Sequence, residues 1–261
     1  MRKIIGLVLV SVAVVAAVVA MVWTPFDPVH AVPGERLQGS SLTHLMGTDQ
    51  YGRDVLSRVM DGARTTLTVA VASVALSALI GVPLGMFAGM TRGWVEGLIM
   101  RTNDLLLAFP ALLLAIVFTA VFGGSMWIVV LAIGIAGIPG FARVSRVGTL
   151  QVMAQDYVLS ARISKVPGFL IAWRHVLPNI TSTLAVQVSV SLALAILAEA
   201  VLSFFGLGTP APYASWGRML QSAQAYLSTA PHLALWPGLA IAATVLGFNL
   251  LGDAVADRRS R

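Results

Sequence analysis

Cysteine is absent from this chain of 261 residues, and acidic and basic residues together make up only 11% of it. Without cysteine, a disulfide framework and thiol chemistry are excluded. The four histidines show no close pairing of the kind that zinc ligands take, so we expect no metal site. The scarcity of charge, beside 57% hydrophobic residues, does not fit the surface of a water-soluble protein. We therefore expect lipid to surround most of the chain.

Long apolar runs are what the sequence has instead. A helix needs about 20 apolar residues to cross the hydrocarbon core, and six runs approach this length: residues 4–23, 67–90, 104–122, 126–142, 180–203 and 233–251. The run at 126–142 is the shortest. The sequence therefore predicts an all-α integral membrane protein with six transmembrane helices. The first run is longer than the apolar part of a secretory signal, so we interpret it as an uncleaved anchor rather than a signal peptide.

The basic residues orient these crossings. Six crossings place both termini on one side, and 12 of the 17 Lys and Arg residues fall in the segments on that side. Cytoplasmic segments of membrane proteins carry such an excess. We therefore predict that both termini are cytoplasmic and that residues 24–64 and 204–232 face outward. The same residues are too scattered for a nucleic-acid-binding surface, so membrane lipid and not nucleic acid is the expected partner.

Small side chains recur every four residues in the second run. They are Ser73, Ser77, Gly81, Gly85 and Gly89. A stripe of this kind lets another helix approach closely. We favour ordinary packing in a helix bundle over a direct role in gating.

The longest of the predicted cytoplasmic segments, residues 143–179, has a pattern of its own. Residues 156–166 can form a helix, and Pro167-Gly168 predicts a turn. Residues 169–176 can form a second helix with an apolar side, which Pro178 is predicted to close. A helix-turn-helix with exposed apolar side chains predicts a docking surface.

This segment contains the runs Asp156-Tyr157-Val158, Ser160-Ala161-Arg162 and Trp173-Arg174-His175-Val176-Leu177-Pro178-Asn179. Together they resemble the "EAA" loop of ABC importer permeases, which docks into a cleft of the ATPase subunit and transmits its closure to the membrane helices. The docking residues that the resemblance implies are Asp156, Tyr157, Ser160, Ala161, Arg162, Pro167, Gly168, Phe169, Leu170, Arg174, His175 and Pro178.

The chain departs from the family pattern at two positions of this loop. Leu159 and Lys165 stand where the family usually has Glu and Gly. Asp156, one helical turn before Ser160, can replace the missing carboxylate. We expect Gly168 to supply the missing turn three residues later.

Four further blocks are similar to one of the two permease subunits of dipeptide, oligopeptide and nickel importers, the "C"-type subunit of dipeptide permeases. They are residues 46–58, 104–110, 199–208 with Ser215-Trp216-Gly217, and 248–253. In the first block, Thr48 or Asp49 can cap a short outer helix, with Asp54 and Arg58 as an i,i+4 pair on its wet side. The resemblance implies a permease domain over 67–261, preceded over 1–66 by an anchor and an outer amphipathic segment.

Polar residues within the predicted crossings are candidates for a substrate passage or gate: Gln187, Ser191 and Glu199. Glu199 is the only carboxylate well inside a crossing, near its outer end, and we favour a hydrogen bond to Ser203 or to the outer loop over a role in a gate. Gln187 and Ser191 can equally line a passage or join helices. Asp104, beside Asn103, is interpreted as a helix cap.

The chain contains no phosphate-binding sequence of the form G-x-x-x-x-G-K-[ST]. The resemblance therefore implies that this chain is not an enzyme and binds no cofactor, and that separate subunits use ATP and Mg. The implied partners are a homologous second permease in a heterodimer, two ATPase subunits or domains, and an extracytoplasmic binding protein. Its implied location is the cytoplasmic membrane and its implied cargo is di- or oligopeptides, with nickel complexes or another small solute such as haem left open.

Two other classes of membrane protein are disfavoured. An ion-coupled secondary transporter would need ionisable groups near the midplane of the membrane and usually repeated halves, and neither is evident. An intramembrane enzyme would need a nucleophile and a base, or a metal cluster, at membrane depth.

Overall fold

The structure, a computed structural model, describes residues 2–108 and 111–257. In these ranges the chain is helical, with a single isolated β-bridge between Thr48 and Asp54. The α-helices are α1 Arg2–Val19, α2 Val55–Thr91, α3 Gly93–Ala108, α4 Ala111–Phe122, α5 Met126–Met153, α6 Asp156–Ile163, α7 Gly168–Ile171, α8 Leu177–Phe204, α9 Trp216–Ala223 and α10 His232–Ala256. A π-helical turn, Ala172–Val176, joins α7 to α8. The predicted all-α class is confirmed.

Five helical stretches in the described ranges are long and apolar enough to cross a membrane, namely α1, α2, α5, the stretch Gly168–Phe204 and α10. A sixth crossing is reached only if α3 and residues 113–122 of α4 count as one, although their axes differ by 82°. The predicted third crossing, 104–122, thus corresponds to the end of α3 and to α4, which run in different directions. Phe109 and Pro110, in its middle, lie outside the described residues, as do Arg258, Arg259 and Arg261 at the carboxyl terminus.

Ion pairs attach α3 to α5. The Arg146 Nε and Nη2 atoms lie 2.6 and 2.5 Å from Glu96 Oε1, and Arg143 Nη2 lies 2.8 Å from Asp104 Oδ1. Asp104 thus lies inside α3 and pairs with α5, so the helix cap predicted for it is wrong. Both arginines lie in the polar carboxyl-terminal half of α5. This helix ends at Met153, 11 residues beyond the end of the predicted crossing.

The outer helix predicted as a separate element is the beginning of α2. Asp54 is the N-cap of this helix, and its Oδ2 accepts a hydrogen bond of 2.8 Å from the Ser57 N–H. No proline or turn sequence separates residues 55–66 from the apolar run that follows, so the helix continues without a break. The proposed domain boundary at residue 66 therefore falls inside α2.

The stripe of small residues on α2 packs against α5. The Ser77 hydroxyl donates to the Gly134 carbonyl at 2.7 Å. A methyl group added at Gly81 would lie 2.6 Å from the Ile138 carbonyl oxygen. The two backbones are therefore close together, as expected if the stripe serves helix packing.

The remaining long helices surround this pair. A methyl group added at Gly6 of α1 would lie 2.9 Å from the Gly247 carbonyl oxygen of α10, so these two helices also cross closely. Helix α10 packs in turn against α8. Trp216, the first residue of α9, is buried, and its indole N–H donates to the Val59 carbonyl of α2 at 3.0 Å. The main core lies between α1, α2, α5, α8, α9 and α10.

Candidate functional site

The α6–α7 segment, which the sequence predicts as a docking loop, contains a left-handed turn. Lys165 has a φ of 57°. Its N–H donates to the Arg162 carbonyl at 2.9 Å, and the Val166 N–H donates to the Ala161 carbonyl at 3.0 Å. This is a Schellman motif, whose left-handed position usually holds glycine. The turn is therefore at Lys165 itself, and the expectation that Gly168 would supply it is wrong.

Helical structure continues through Pro178, so the predicted end of the second helix there is wrong. In a regular α-helix, proline lacks the N–H for the bond to the carbonyl four residues earlier, and its ring clashes with that carbonyl. Here the π-helical turn Ala172–Val176 precedes the proline, which lies in the first turn of α8. The helical stretch therefore runs from Gly168 to Phe204.

An apolar cluster holds the α6–α7 segment against the ends of α2 and α5. Val158, Ile171 and Val176 are buried, and they pack with Met86 of α2 and Val152 of α5. Burial of one such side chain contributes about 1.5–3 kcal/mol. The segment is therefore fixed to two of the crossings as well as to α8.

Around this cluster lie exposed apolar side chains, which we call the docking surface: Tyr157, Leu159, Ile163, Phe169, Leu170 and Trp173. Phe169 is 80% exposed. The residues that the resemblance assigns to docking are exposed at Asp156, Tyr157, Ser160, Arg162, Pro167, Gly168, Phe169, Leu170, Arg174 and Pro178, and half-buried at Ala161 and His175. The His175 ring lies 5.9 Å from the Tyr157 ring, which joins α6 to the π-helical turn.

A cavity of about 430 Å³, here called the central cavity, is lined mainly by α2, α5 and α8, with Leu107 of α3 and Ala115 of α4 completing its wall. Its wall is mostly apolar but includes Ser77, Gln187 and Ser191. The Gln187 Nε2 donates to Ser191 Oγ at 3.2 Å. The structure thus places both of these passage candidates on one cavity wall and joins them to each other.

Glu199 is 1% exposed and is not among the residues that line the central cavity. Its Oε2 accepts a 3.0 Å hydrogen bond from Thr66 Oγ1, and its Oε1 accepts a 2.6 Å bond from Ser203 Oγ. Thr66 Oγ1 accepts in turn from the Trp216 N–H at 3.4 Å. The carboxylate therefore joins α8 to α2 and α9. The hydrogen bond to Ser203 is the one that the sequence analysis favoured over a role in a gate.

The outer segment before α2 contains buried charges whose partners the sequence did not reveal. Asp54 Oδ1 lies 2.9 Å from His44 Nδ1, and Arg58 Nε lies 3.4 Å from Asp49 Oδ2. All four residues are buried. The predicted Asp54–Arg58 pair on the wet side of a helix is therefore wrong.

The predicted caps Thr48 and Asp49 act within the outer segment instead. The Thr48 hydroxyl donates to the Glu35 carbonyl. Asp49 Oδ1 accepts from the backbone N–H groups of Tyr51 and Arg53 at 2.8 and 3.0 Å. The dense charge of residues 49–58 was the available signal for this network, but it could not show which residues pair.

The chain is similar to known transport proteins. Residues 81–261 match the family described as "Binding-protein-dependent transport system inner membrane component". The chain is 42% identical over 234 residues to the glutathione transport system permease protein GsiD of Pectobacterium atrosepticum, covering 89% of this chain and 78% of that protein. It is 36% identical over 254 residues to the dipeptide transport system permease protein DppC of Alkalihalophilus pseudofirmus, covering 97% and 84%.

Two further proteins are informative. A putative peptide transport system permease protein of Brucella suis is 41% identical over 253 residues, covering 97% of this chain and 85% of that protein. A chain of the MetNI methionine ABC transporter, solved in an inward-facing conformation, superimposes with a TM-score of 0.66 over 78% of this chain and 96% of its own length. At 14% sequence identity this last similarity concerns the fold alone.

Proposed function

The chain belongs to the family of binding-protein-dependent transport system inner membrane components, and we propose that it is a permease subunit of an ABC importer that carries short peptides across the cytoplasmic membrane. It is a transport component and not an enzyme, since ATP hydrolysis in such importers takes place in separate subunits. The peptide cargo is supported by its dipeptide, putative peptide and glutathione permease relatives, since glutathione is itself a small peptide.

The observation that carries this proposal is the helical stretch Gly168–Phe204, which links the docking surface to the central cavity. Phe169 lies near its first residue, and Gln187 and Ser191 lie on the cavity wall further along. At 1.5 Å of rise per residue, Phe169 and Gln187 are about 27 Å apart along the helix. A force applied at the docking surface is therefore transmitted to the cavity wall by a continuous helix.

ATP and Mg act on the partner ATPases in this mechanism. When the two ATPases bind ATP, they associate with each other and move the docking surface of this chain. Helices α2 and α5 move with it, because the buried side chains of Val158, Ile171 and Val176 pack against them. A conformational equilibrium is shifted only by a ligand that binds its two states with different affinity, and in this proposal that ligand is the nucleotide bound to the ATPases.

A homologous second permease completes the passage in this proposal. Leu194 and Leu197 of α8 line the central cavity and are exposed at its side. Covering these side chains with a second permease would remove apolar surface and close the cavity laterally. Lipid would cover the exposed apolar side of α1, and a binding protein would deliver substrate to the outer end.

The orientation follows from the same assignment. We propose that the docking surface and both termini are cytoplasmic and that residues 20–54 and 205–231 face outward. Helix α1 and residues 20–54 then support the outer end of the permease domain.

Labelling of single cysteines tests this orientation. The chain has no cysteine of its own, so each introduced cysteine shows on which side of the membrane its residue lies. An impermeant maleimide should label Leu42→Cys in intact spheroplasts and Ser164→Cys only after permeabilisation. The reverse pattern would invert the topology.

Reconstitution tests the function itself. Proteoliposomes containing this chain, its partner permease and the ATPases should take up labelled dialanine only when ATP and the binding protein are both supplied. The purified chain alone should hydrolyse no ATP. Peptide uptake by the chain alone, driven by an ion gradient, would contradict the proposal.

A further inference from the structure

A second cavity, of about 380 Å³, lies at the end of the bundle remote from the docking surface, and we call it the outer cavity. Its wall is formed by the first turns of α2, the start of α5 and the loop between α8 and α9. Met126 lines it, while Ile133, Gly137 and Gly140 of the same helix line the central cavity. Residues at these spacings share one face of a helix. The outer cavity therefore lies beyond the central cavity along the same face of α5, and the buried residues Val129 and Val130 lie between the two.

The wall of the outer cavity contains one acid and one base. Asp61 and Arg64 are three residues apart on α2, so their side chains are neighbours. Within the described ranges no ion pair of 4.0 Å or less joins them, although Asp61 is close enough to Arg58 for their charges to interact. Each charge at the cavity thus remains accessible to a ligand of opposite sign.

The start of α5 adds a second positive feature. Ser125 is the N-cap of this 28-residue helix, and its Oγ accepts from the Trp127 N–H at 3.3 Å. The Trp127, Ile128 and Val129 N–H groups already donate to Ser125, so it is the helix dipole that favours an anion at this end of α5. Arg64 and the start of α5 therefore favour a carboxylate on one part of the wall, and Asp61 favours an ammonium group on another.

An unsatisfied hydroxyl gives independent evidence for a polar ligand. Thr209 lines the outer cavity and is 6% exposed, and its Oγ1 has no hydrogen-bond partner in the described part of the chain. Leaving a buried hydroxyl unpaired is unfavourable. The exposed rings of Trp127 and Tyr213 supply apolar area at the same wall. A ligand with charged ends, amide groups and small apolar parts matches this combination.

We propose that the outer cavity is a receiving site for a short peptide, binding its free carboxylate between Arg64 and the start of α5 and its free ammonium group at Asp61. This inference rests on the proposed function. It adds that the permease itself recognises the two charged ends of the peptide, independently of the binding protein.

Protection of a cysteine in the cavity tests this directly. Thr65 lines the outer cavity, and Thr65→Cys introduces the only cysteine of the chain. The variant is assembled with its partner permease and ATPases in nanodiscs, without nucleotide or binding protein, and labelled with an uncharged maleimide. Increasing dialanine should slow labelling, by about tenfold at ten times Kd. Thr68→Cys serves if Thr65→Cys does not assemble, and Leu42→Cys, on a side chain that is 99% exposed, should show no protection.

Capped peptides and charge variants identify the groups that bind. N-acetyl-dialanine and dialanine amide should each need about tenfold higher concentration for the same protection, since each lacks one charge-assisted bond. Arg64→Gln should abolish the advantage of the free carboxylate alone, and Asp61→Asn that of the free amine alone. Arg36→Gln, an identical change at an exposed residue away from the cavity, should change neither.

The outcomes separate this inference from the proposed function. Dialanine uptake by the full complex without protection of either cysteine would overturn the inference and leave the proposed function intact. Equal protection by dialanine, N-acetyl-dialanine and dialanine amide would overturn recognition of the charged ends. Protection by the binding protein alone, with none by peptide, would show that the cavity is instead a protein contact. Absence of ATP-dependent uptake by the complex would count against the proposed function.

Discussion

Gly85 of α2 lies so close to Ala142 of α5 that a methyl group added to the glycine would come within 2.1 Å of the alanine carbonyl oxygen. Side-chain Cβ atoms do not approach other atoms to that distance. The obstacle is backbone on both sides, so a change of rotamer cannot relieve it. The contact between α2 and α5 therefore depends on a glycine at this position.

Gly85→Ala should consequently separate the two helices. Overpacking of this kind costs about 1–3 kcal/mol, and we expect a lower unfolding temperature of the purified chain and less of it in the membrane. Gly97→Ala is the matched control, because nothing lies within 4 Å of a methyl group there and alanine is the better helix former. Equal unfolding temperatures for the two variants would refute the close contact.

Glu199 should tolerate an amide better than a methyl group. In Glu199→Gln, the amide can still bond both Thr66 and Ser203, whose hydroxyls can donate or accept. Glu199→Ala leaves both hydroxyls buried without this partner, at about 1–3 kcal/mol each. We expect near-normal peptide uptake by the Gln variant and a lower unfolding temperature for the Ala variant. A Gln variant that is stable and inactive would show that the ionised carboxylate takes part in transport.

Lys165 provides a test of the left-handed turn in the α6–α7 segment. Glycine is favoured over other residues at a φ of 57°, so Lys165→Gly should preserve or stabilise the turn, by about 0.5–1 kcal/mol. Lys165→Val should destabilise it, since a β-branched residue is poorly accommodated there. The readout is the ratio of peptide uptake to ATP hydrolysis in the reconstituted complex, which should fall for Val and not for Gly. Equal ratios for Gly and Val would contradict the turn described.

Much of this architecture could be predicted from local sequence. Hydropathy over about 20 residues is enough to locate α1, α2, α5, α8 and α10, because a crossing helix must satisfy its own backbone in lipid. The position of the α6–α7 segment could likewise be predicted from its own residues. The four-residue spacing of the stripe that includes Gly81 and Gly85 indicated that another helix packs there, although not which one.

Other features depend on partners that are distant in sequence. Arg146 and Glu96 are 50 residues apart, and Thr66 and Glu199 are 133 apart, so no local pattern pairs them. Pro178 is a strong signal for a helix end, and only the preceding π-helical turn allows the helix to continue. The two pairings thus depend on the tertiary structure, whereas at Pro178 an irregular helical turn overrides a local preference that was correctly identified.

The docking surface is the central claim, and Phe169→Asp tests it most directly. Burial of the Phe169 side chain in an ATPase would contribute about 1.5–3 kcal/mol, and an aspartate would add the cost of desolvating an unpaired charge. Leu42→Asp is the control, since it places the same charge on an exposed side chain at the opposite end of the bundle. The measurement is the amount of ATPase that co-purifies with each variant at equal membrane levels. We predict loss of the ATPase from Phe169→Asp and normal recovery with Leu42→Asp; full recovery with both would contradict the account.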